Sequence, residues 1–270
     1  MTSSFRDAVS LAWKLLLPVN NFLWVSKTTN YRSLFEGWYT ERKQQLDKSL
    51  TSTIENGTYS TKSNPFRIFM RDWYLWGLQL VPTWNALYES QTGKGMAFLP
   101  ELGGGGNFPQ VYCMRLNSAG TSNKVEFTDD VIFSSEKKGL FQIVAFLDSL
   151  KTIQATRDVL SLLDEASRGA VKGEDAAFFA SDTKPPQGAD TAGQDSLYLL
   201  ATAEEFASDE AISNGRPKPL FYDAERIKRD SGHKPFVILR PDRFVFAACG
   251  DREDLLKAAQ WLALLISAKN

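Results

Sequence analysis

His233 is the only histidine in the 270-residue chain, and Cys113 and Cys249 are the only cysteines. A single imidazole excludes multi-histidine zinc or iron sites. A Ser-His-Asp triad would have to be built on His233. That residue sits in the polar, basic run Lys228-Arg229-Asp230-Ser231-Gly232-His233-Lys234, which reads as a loop before a strand. The cysteines are far apart and form no C-x-x-C pair. This argues against a disulfide framework and against thioredoxin-type redox chemistry. Both read as small buried apolar residues in a reducing, cytoplasmic compartment. Gly103 to Gly106 form a four-glycine run, but no G-K-[ST] follows and no strand leads in, so it is not a phosphate cradle. A flexible connection between two domains is expected there. The residues taken alone therefore name no catalytic group and no metal site.

Bulk properties narrow the partners. The formal net charge is -1, so nothing in the overall balance invites nucleic acid or an anionic membrane. Hydrophobic residues make up 43%, ample for a packed core. The apolar run Leu15-Leu16-Leu17 follows Arg6, Asp7 and Lys14 and stops at Pro18, unlike a signal peptide. No stretch approaches the ~20 apolar residues of a membrane span, so a soluble protein is expected.

The elements that must position any site divide at the glycine run. Before it, the pattern is helical. Ser4-Phe5-Arg6-Asp7 is a capping-box-like start, and Phe5, Val9, Ala12, Leu15 and Leu16 recur at helical spacing. A second helix is expected from Tyr31 to about Glu55, burying Leu34, Phe35, Trp38, Leu46, Leu50 and Ile54 and ending near Gly57. A third starts at Asn64-Pro65, carries Phe66, Phe69, Met70, Trp73, Trp76, Leu78 and Leu80, and stops before Pro82. After the run, strands are expected at Val111–Arg115, Asp130–Phe133, Leu140–Leu147, Leu197–Ala201, Pro235–Leu239 and Phe244–Ala248. Helices are expected at Thr152–Ser167 and Arg252–Ala268, and a surface loop at Ser181–Asp195. This is an α/β layer pattern.

Three segments carry a family resemblance. Met1-Thr2-Ser3-Ser4-Phe5-Arg6-Asp7-Ala8-Val9-Ser10-Leu11-Ala12-Trp13-Lys14-Leu15 is similar to the tail of the G-x-G-x-N-x-G-x-x-D-A-x-N-L-x-W-K-L motif. Thr2 stands in place of Asn, Ser4 in place of Gly and Ser10 in place of the second Asn. Leu34-Phe35-Glu36-Gly37-Trp38-Tyr39-Thr40-Glu41-Arg42 resembles an L-L-x-x-Y-x-x-E-R helix. The third comprises Asn107-Phe108-Pro109-Gln110, Phe127-Thr128-Asp129-Asp130 and Val237-Ile238-Leu239-Arg240-Pro241-Asp242-Arg243-Phe244-Val245. The last stretch is similar to a V-L-V-R-P-D-x-x-V hairpin. Together they resemble the C-terminal part of an FAD-dependent aromatic-ring hydroxylase of the phenol-hydroxylase and hydroxyphenylpropionate-hydroxylase type.

The resemblance implies a helical remnant of the flavin monooxygenase catalytic domain over residues 1–100. It implies a thioredoxin-like α/β domain without redox cysteines over residues 107–270. It also implies FAD as cofactor and NAD(P)H as co-substrate for hydroxylation of a phenolic ring by oxygen. Backbone N–H groups of Met1, Thr2, Ser3 and Ser4, with Asp7 in the first turn, would face the flavin's pyrimidine end. The dinucleotide-binding βαβ unit, the D-G and G-D segments and the substrate-covering sheet of that family have no counterpart here. The expectation is a truncated or mis-started enzyme, inactive or needing a separately encoded flavin-binding half. Its first helix would then expose an apolar side and promote self-association. The alternative is a cofactor-free module in which Trp73, Tyr74, Trp76 and Trp84 hold a small aromatic metabolite or a partner protein. Trp13, Leu34, Trp38 and Leu46 are expected at helix–helix contacts.

Overall fold

The computed structural model describes residues 8–15, 31–61, 64–80, 99–117, 120–180 and 196–267. The chain divides into two compact units. One comprises Met1–Asn30 with Ala97–Asn270, and the other Tyr31–Met96.

The larger unit is built on a seven-stranded mixed sheet with the order β2-β1-β5-β4-β3-β6-β7. The strands are β1 (Tyr112–Asn117), β2 (Gly120–Phe127), β3 (Gln142–Leu147), β4 (Ala177–Ala180), β5 (Leu197–Leu200), β6 (Phe236–Leu239) and β7 (Val245–Cys249). The central strands β3, β4 and β5 run parallel. An antiparallel hairpin flanks them on each side, β1–β2 beside β5 and β6–β7 beside β3. Every residue of β3, β4, β6 and β7 is buried. Successive side chains point to opposite faces, so both faces of this part of the sheet are covered.

Short helices supply the cover. After α1 (residues 8–15) come α4 (Thr128–Ile132), α5 (Ile153–Leu160), α6 (Leu163–Ala166), α7 (Ala203–Ser208), α8 (Glu210–Ser213), α9 (Arg226–Asp230) and α10 (Arg252–Ser267). The smaller unit contributes α2 (Tyr31–Thr61) and α3 (Pro65–Leu80). Ile132 of α4 and Ile227 of α9 join Val144, Phe146, Phe179, Val237 and Leu239 in one core cluster. Helix α10 packs on β7 and α6, burying Leu255, Ala258, Ala259 and Leu262. Helix α7 starts on a full capping box, with the Thr202 hydroxyl accepting from Glu205 N and Glu205 reaching back to Thr202 N.

Several elements differ from expectation for identifiable reasons. Residues 130–133, expected as a strand, belong to helix α4 and the residue after it. The Thr128 hydroxyl accepts from Val111 N, and Thr128 N donates to Val111 O. This fixes the turn out of β2, and Asp129 and Asp130 then occupy the first helical turn, where the dipole favours acids. Strand β4, Ala177-Phe178-Phe179-Ala180, is too short to show a period. The expected helix over Thr152–Ser167 is broken into α5 and α6. Helix α3 starts as expected at Pro65, with Asn64 Oδ1 accepting from Phe66 N at 3.0 Å. Helix α2 continues past Gly57 to Thr61.

The expected buried side of α2 is not buried. Leu46, Leu50 and Ile54 are exposed, Trp38 is half-buried and Glu41 is buried. An amphipathic stripe states what a helix can bury, not that a partner is present. The side chain of Leu34 lies outside the described residues.

Candidate functional site

The first and third sequence landmarks meet at the hairpin between β6 and β7. A turn over Arg240-Pro241-Asp242-Arg243 closes with Arg243 N donating to Arg240 O at 3.0 Å. Arg243 takes a left-handed φ of 69°. Within the turn, Arg240 Nε donates to Asp242 Oδ1 at 2.9 Å and Nη2 to Oδ2 at 2.6 Å. Both side chains are almost fully buried, and this two-pronged geometry is the strong form of such a pair.

Helix α1 docks on that pair. Trp13 Nε1 donates to Asp242 Oδ2 at 3.1 Å, and the Arg240 guanidinium lies 5.5 Å from the Trp13 ring centre. The indole also meets Phe141 edge-on, and Phe141 meets Phe246 of β7 in the same way. The buried side of α1 is therefore Ser10, Trp13 and Lys14, while Val9 and Leu15 of the expected apolar stripe are exposed. Lys14 lies over the Trp13 ring, with its Nζ 3.5 Å from Ser10 Oγ. Trp13 thus meets a strand hairpin rather than a helix.

Arg243 extends the junction to the opening of the domain. Its Nη1 is 2.8 Å from Asp129 Oδ2. Burial raises the Asp129 carboxyl above its ordinary value, and the Arg243 charge acts in the opposite direction. Asn107 bridges to Phe244, and Phe108 N donates to Arg243 O.

The glycine run belongs to this structure and is not a free linker. Gly105 N donates to Val245 O and Val245 N to Gly106 O, both at 2.8 Å. Gly103 and Gly105 have φ of 68° and 92°, conformations open to glycine. At Gly104 a Cβ would stand 2.5 Å from Phe246 O. That proximity leaves no space for a phosphate between the run and β7.

The expected flavin-contacting residues Met1, Thr2, Ser3, Ser4 and Asp7 lie outside the described residues, as does Trp84. The glycine turn is filled by backbone. His233 is exposed with φ 55° in the turn after α9, and its N–H donates to Lys228 O. Cys113 and Cys249 are buried and free. Burial, reinforced by neighbouring carboxylates, pushes both thiols up to about 12, so neither is a nucleophile at neutral pH. Among the described residues no group of three or more His, Cys, Asp or Glu could hold a metal ion, and no helix is long and apolar enough to cross a membrane.

A shallow groove of about 420 Å³ runs between the start of α7 and residues 218–225. The Tyr222 hydroxyl on its wall is turned inward, accepting from Tyr112 N at 2.8 Å, and burial raises its pKa. Glu204 is paired with Lys218 and Asp223 with Arg229. These charged groups are thus engaged in ion pairs, and Pro219, Leu220 and Phe221 add an apolar part to the wall. Trp73, Tyr74 and Trp76 are exposed on α3.

Nothing local in the sequence joins Trp13, Asp242 and Arg240 into one junction. Its signal lay in Trp-Lys at one motif's end and Arg-Pro-Asp in another. Compared with protein-family models and with curated proteins, the sequence matches none.

Proposed function

We propose that this chain is the C-terminal region of an FAD-dependent aromatic-ring hydroxylase. It would comprise helices of the flavin-binding catalytic domain and a thioredoxin-like domain without redox cysteines. The observation that carries the reading is the junction. The first and third segments of the resemblance meet through Trp13–Asp242, and the pieces of the third are joined by Arg243–Asp129 and Asn107–Phe244. An ordinary capped helix has no reason to place its tryptophan on a buried Arg-Pro-Asp turn. The strand order supports the same reading. A parallel β3-α-β4 unit joined in one sheet to an antiparallel β6-β7-α10 unit is the core expected of a thioredoxin-like domain.

The reaction of such enzymes is hydroxylation of a phenolic ring with FAD, NAD(P)H and oxygen. The cofactor supplies the oxygen chemistry, and the protein positions it and excludes water. A helix N-terminus offers about two or three N–H groups, worth about 0.5–1.5 kcal/mol each. That is too little to immobilise a large cofactor.

Titration with FAD while following flavin fluorescence tests this. The chain alone is expected to give no saturable quenching and no NADPH oxidation with phenols. Supplying a flavin-binding half in trans is expected to restore both. Saturable, low-micromolar binding by the chain alone would show that its own residues complete the site. The family reading has a separate test. An in-frame coding sequence upstream of Met1 lacking G-x-G-x-x-G and G-D segments would count against it.

The alternative, a cofactor-free interaction module, is favoured by one observation, the exposed aromatic side of α3.

A further inference from the structure

Helix α3 holds six large side chains in solvent. Phe66, Phe69, Met70, Trp73, Tyr74 and Trp76 are each between 54% and 70% exposed. At 100° per residue they share one arc of about 160°, and Arg67, Arg71 and Asp72 fall outside it. The rings already order one another, with Phe69 to Trp73 at 6.1 Å and Trp73 to Trp76 at 5.4 Å between centroids.

We propose that this face binds the same face of a second copy of the chain, the two α3 helices lying antiparallel about a twofold axis near residue 71. Three features of the face select a second copy as the occupant. The first is pattern. The ring positions 66, 69, 73 and 76 are spaced three, four and three apart, which reads the same in both directions. An antiparallel twofold therefore sets Phe66 against the partner's Trp76 and Phe69 against the partner's Trp73, as a self-complementary contact requires. The second is charge. A contact near a twofold brings each charge close to its own copy, and this arc carries none. The third is area. At the exposures observed, the six side chains offer roughly 700 Å² per copy, against about 800 Å² per partner in a standard interface. Aromatic residues and Met are also the types enriched in such interface cores.

The inference is independent of the flavin reading, because it uses only the surface of α3. Sedimentation of the full chain tests it. The wild type is expected at twice the chain mass. Trp73→Asp is expected at the monomer mass with an unchanged circular-dichroism spectrum, since position 73 is exposed. Ile54→Asp, an exposed control on α2, is expected to remain dimeric. A short bis-maleimide is expected to join copies of Met70→Cys. Copies of Gly77→Cys should stay unjoined, because the antiparallel pair holds those positions about 18 Å apart along the axis. Both native thiols are buried and do not compete. A wild type that is monomeric at every concentration, association insensitive to Trp73→Asp, or cross-linking through Gly77→Cys rather than Met70→Cys would each overturn the proposal.

Discussion

Trp13 Nε1 donates to Asp242 Oδ2 at 3.1 Å, a buried hydrogen bond between residues 229 positions apart. The same carboxylate receives Arg240 through both of its oxygens, so one side chain anchors a helix and a hairpin together. Asp242→Ala leaves a buried guanidinium without this carboxylate and is expected to cost about 3–5 kcal/mol. Trp13→Phe retains much of the ring packing on Phe141 and removes one hydrogen bond, for about 1–2 kcal/mol. Urea denaturation of the two variants checks the order. Equal, negligible shifts would show that α1 is not held by this junction.

Two glycines in one run should respond differently. Gly104→Ala places a Cβ 2.5 Å from the backbone oxygen of Phe246, where no flexible side chain can move aside. The expected loss is about 1–3 kcal/mol. Gly106→Ala meets nothing within 4 Å and should lie within about 0.5 kcal/mol of wild type. Thermal midpoints of the two variants measure the difference.

The thiols make a prediction about alkaline pH. Cys113 and Cys249 rise from 9.0 to about 12 in the folded protein. Between those values the folded state holds protons that the unfolded state releases, so their contribution is full below pH 9 and lost as pH rises toward 12. Below pH 9, native protein is expected to react with a thiol reagent only after denaturant is added. Rapid labelling of either cysteine in native protein would contradict the burial.

Lys137 acts in the opposite direction. Burial lowers its ammonium from 10.5 to about 8, against the attraction of Asp175, and its Nζ has no hydrogen-bond partner among the described residues. Between pH 8 and 10.5 the unfolded state binds the proton more readily, so this group's contribution to stability rises with pH across that window. Lys137→Met removes the cost of the buried charge and is expected to raise stability at pH 7 by about 1 kcal/mol. It should also flatten the pH dependence between 8 and 10.5. Chemical denaturation at pH 7 and pH 10 reads both effects.

Local chemistry was legible where a few neighbouring residues decide the outcome. Asn64-Pro65 starts α3 because an Asn oxygen caps the next turn and Pro needs no donor there. The β-branched and aromatic runs around 236–239 and 245–249 became the fully buried strands β6 and β7. The lone histidine fell in a turn, and the cysteines fell in strands. Asp130–Phe133 is helical rather than extended because its three-residue apolar run has no readable period, and a clamp from Thr128 to Val111 selects helix.

The sequence by itself determined the mixed α/β class, the start of α3 at Asn64-Pro65, and the motifs that invite the hydroxylase reading. Only the tertiary structure decided that Gly103–Gly106 is a turn packed against β7, that α1 buries Ser10, Trp13 and Lys14 rather than its apolar stripe, and that Leu46, Leu50 and Ile54 stay exposed. The reason is range. Capping, propensity and periodicity act over one or two turns of chain. What an indole or a glycine meets is set by strand order and by the approach of backbone from more than a hundred residues away.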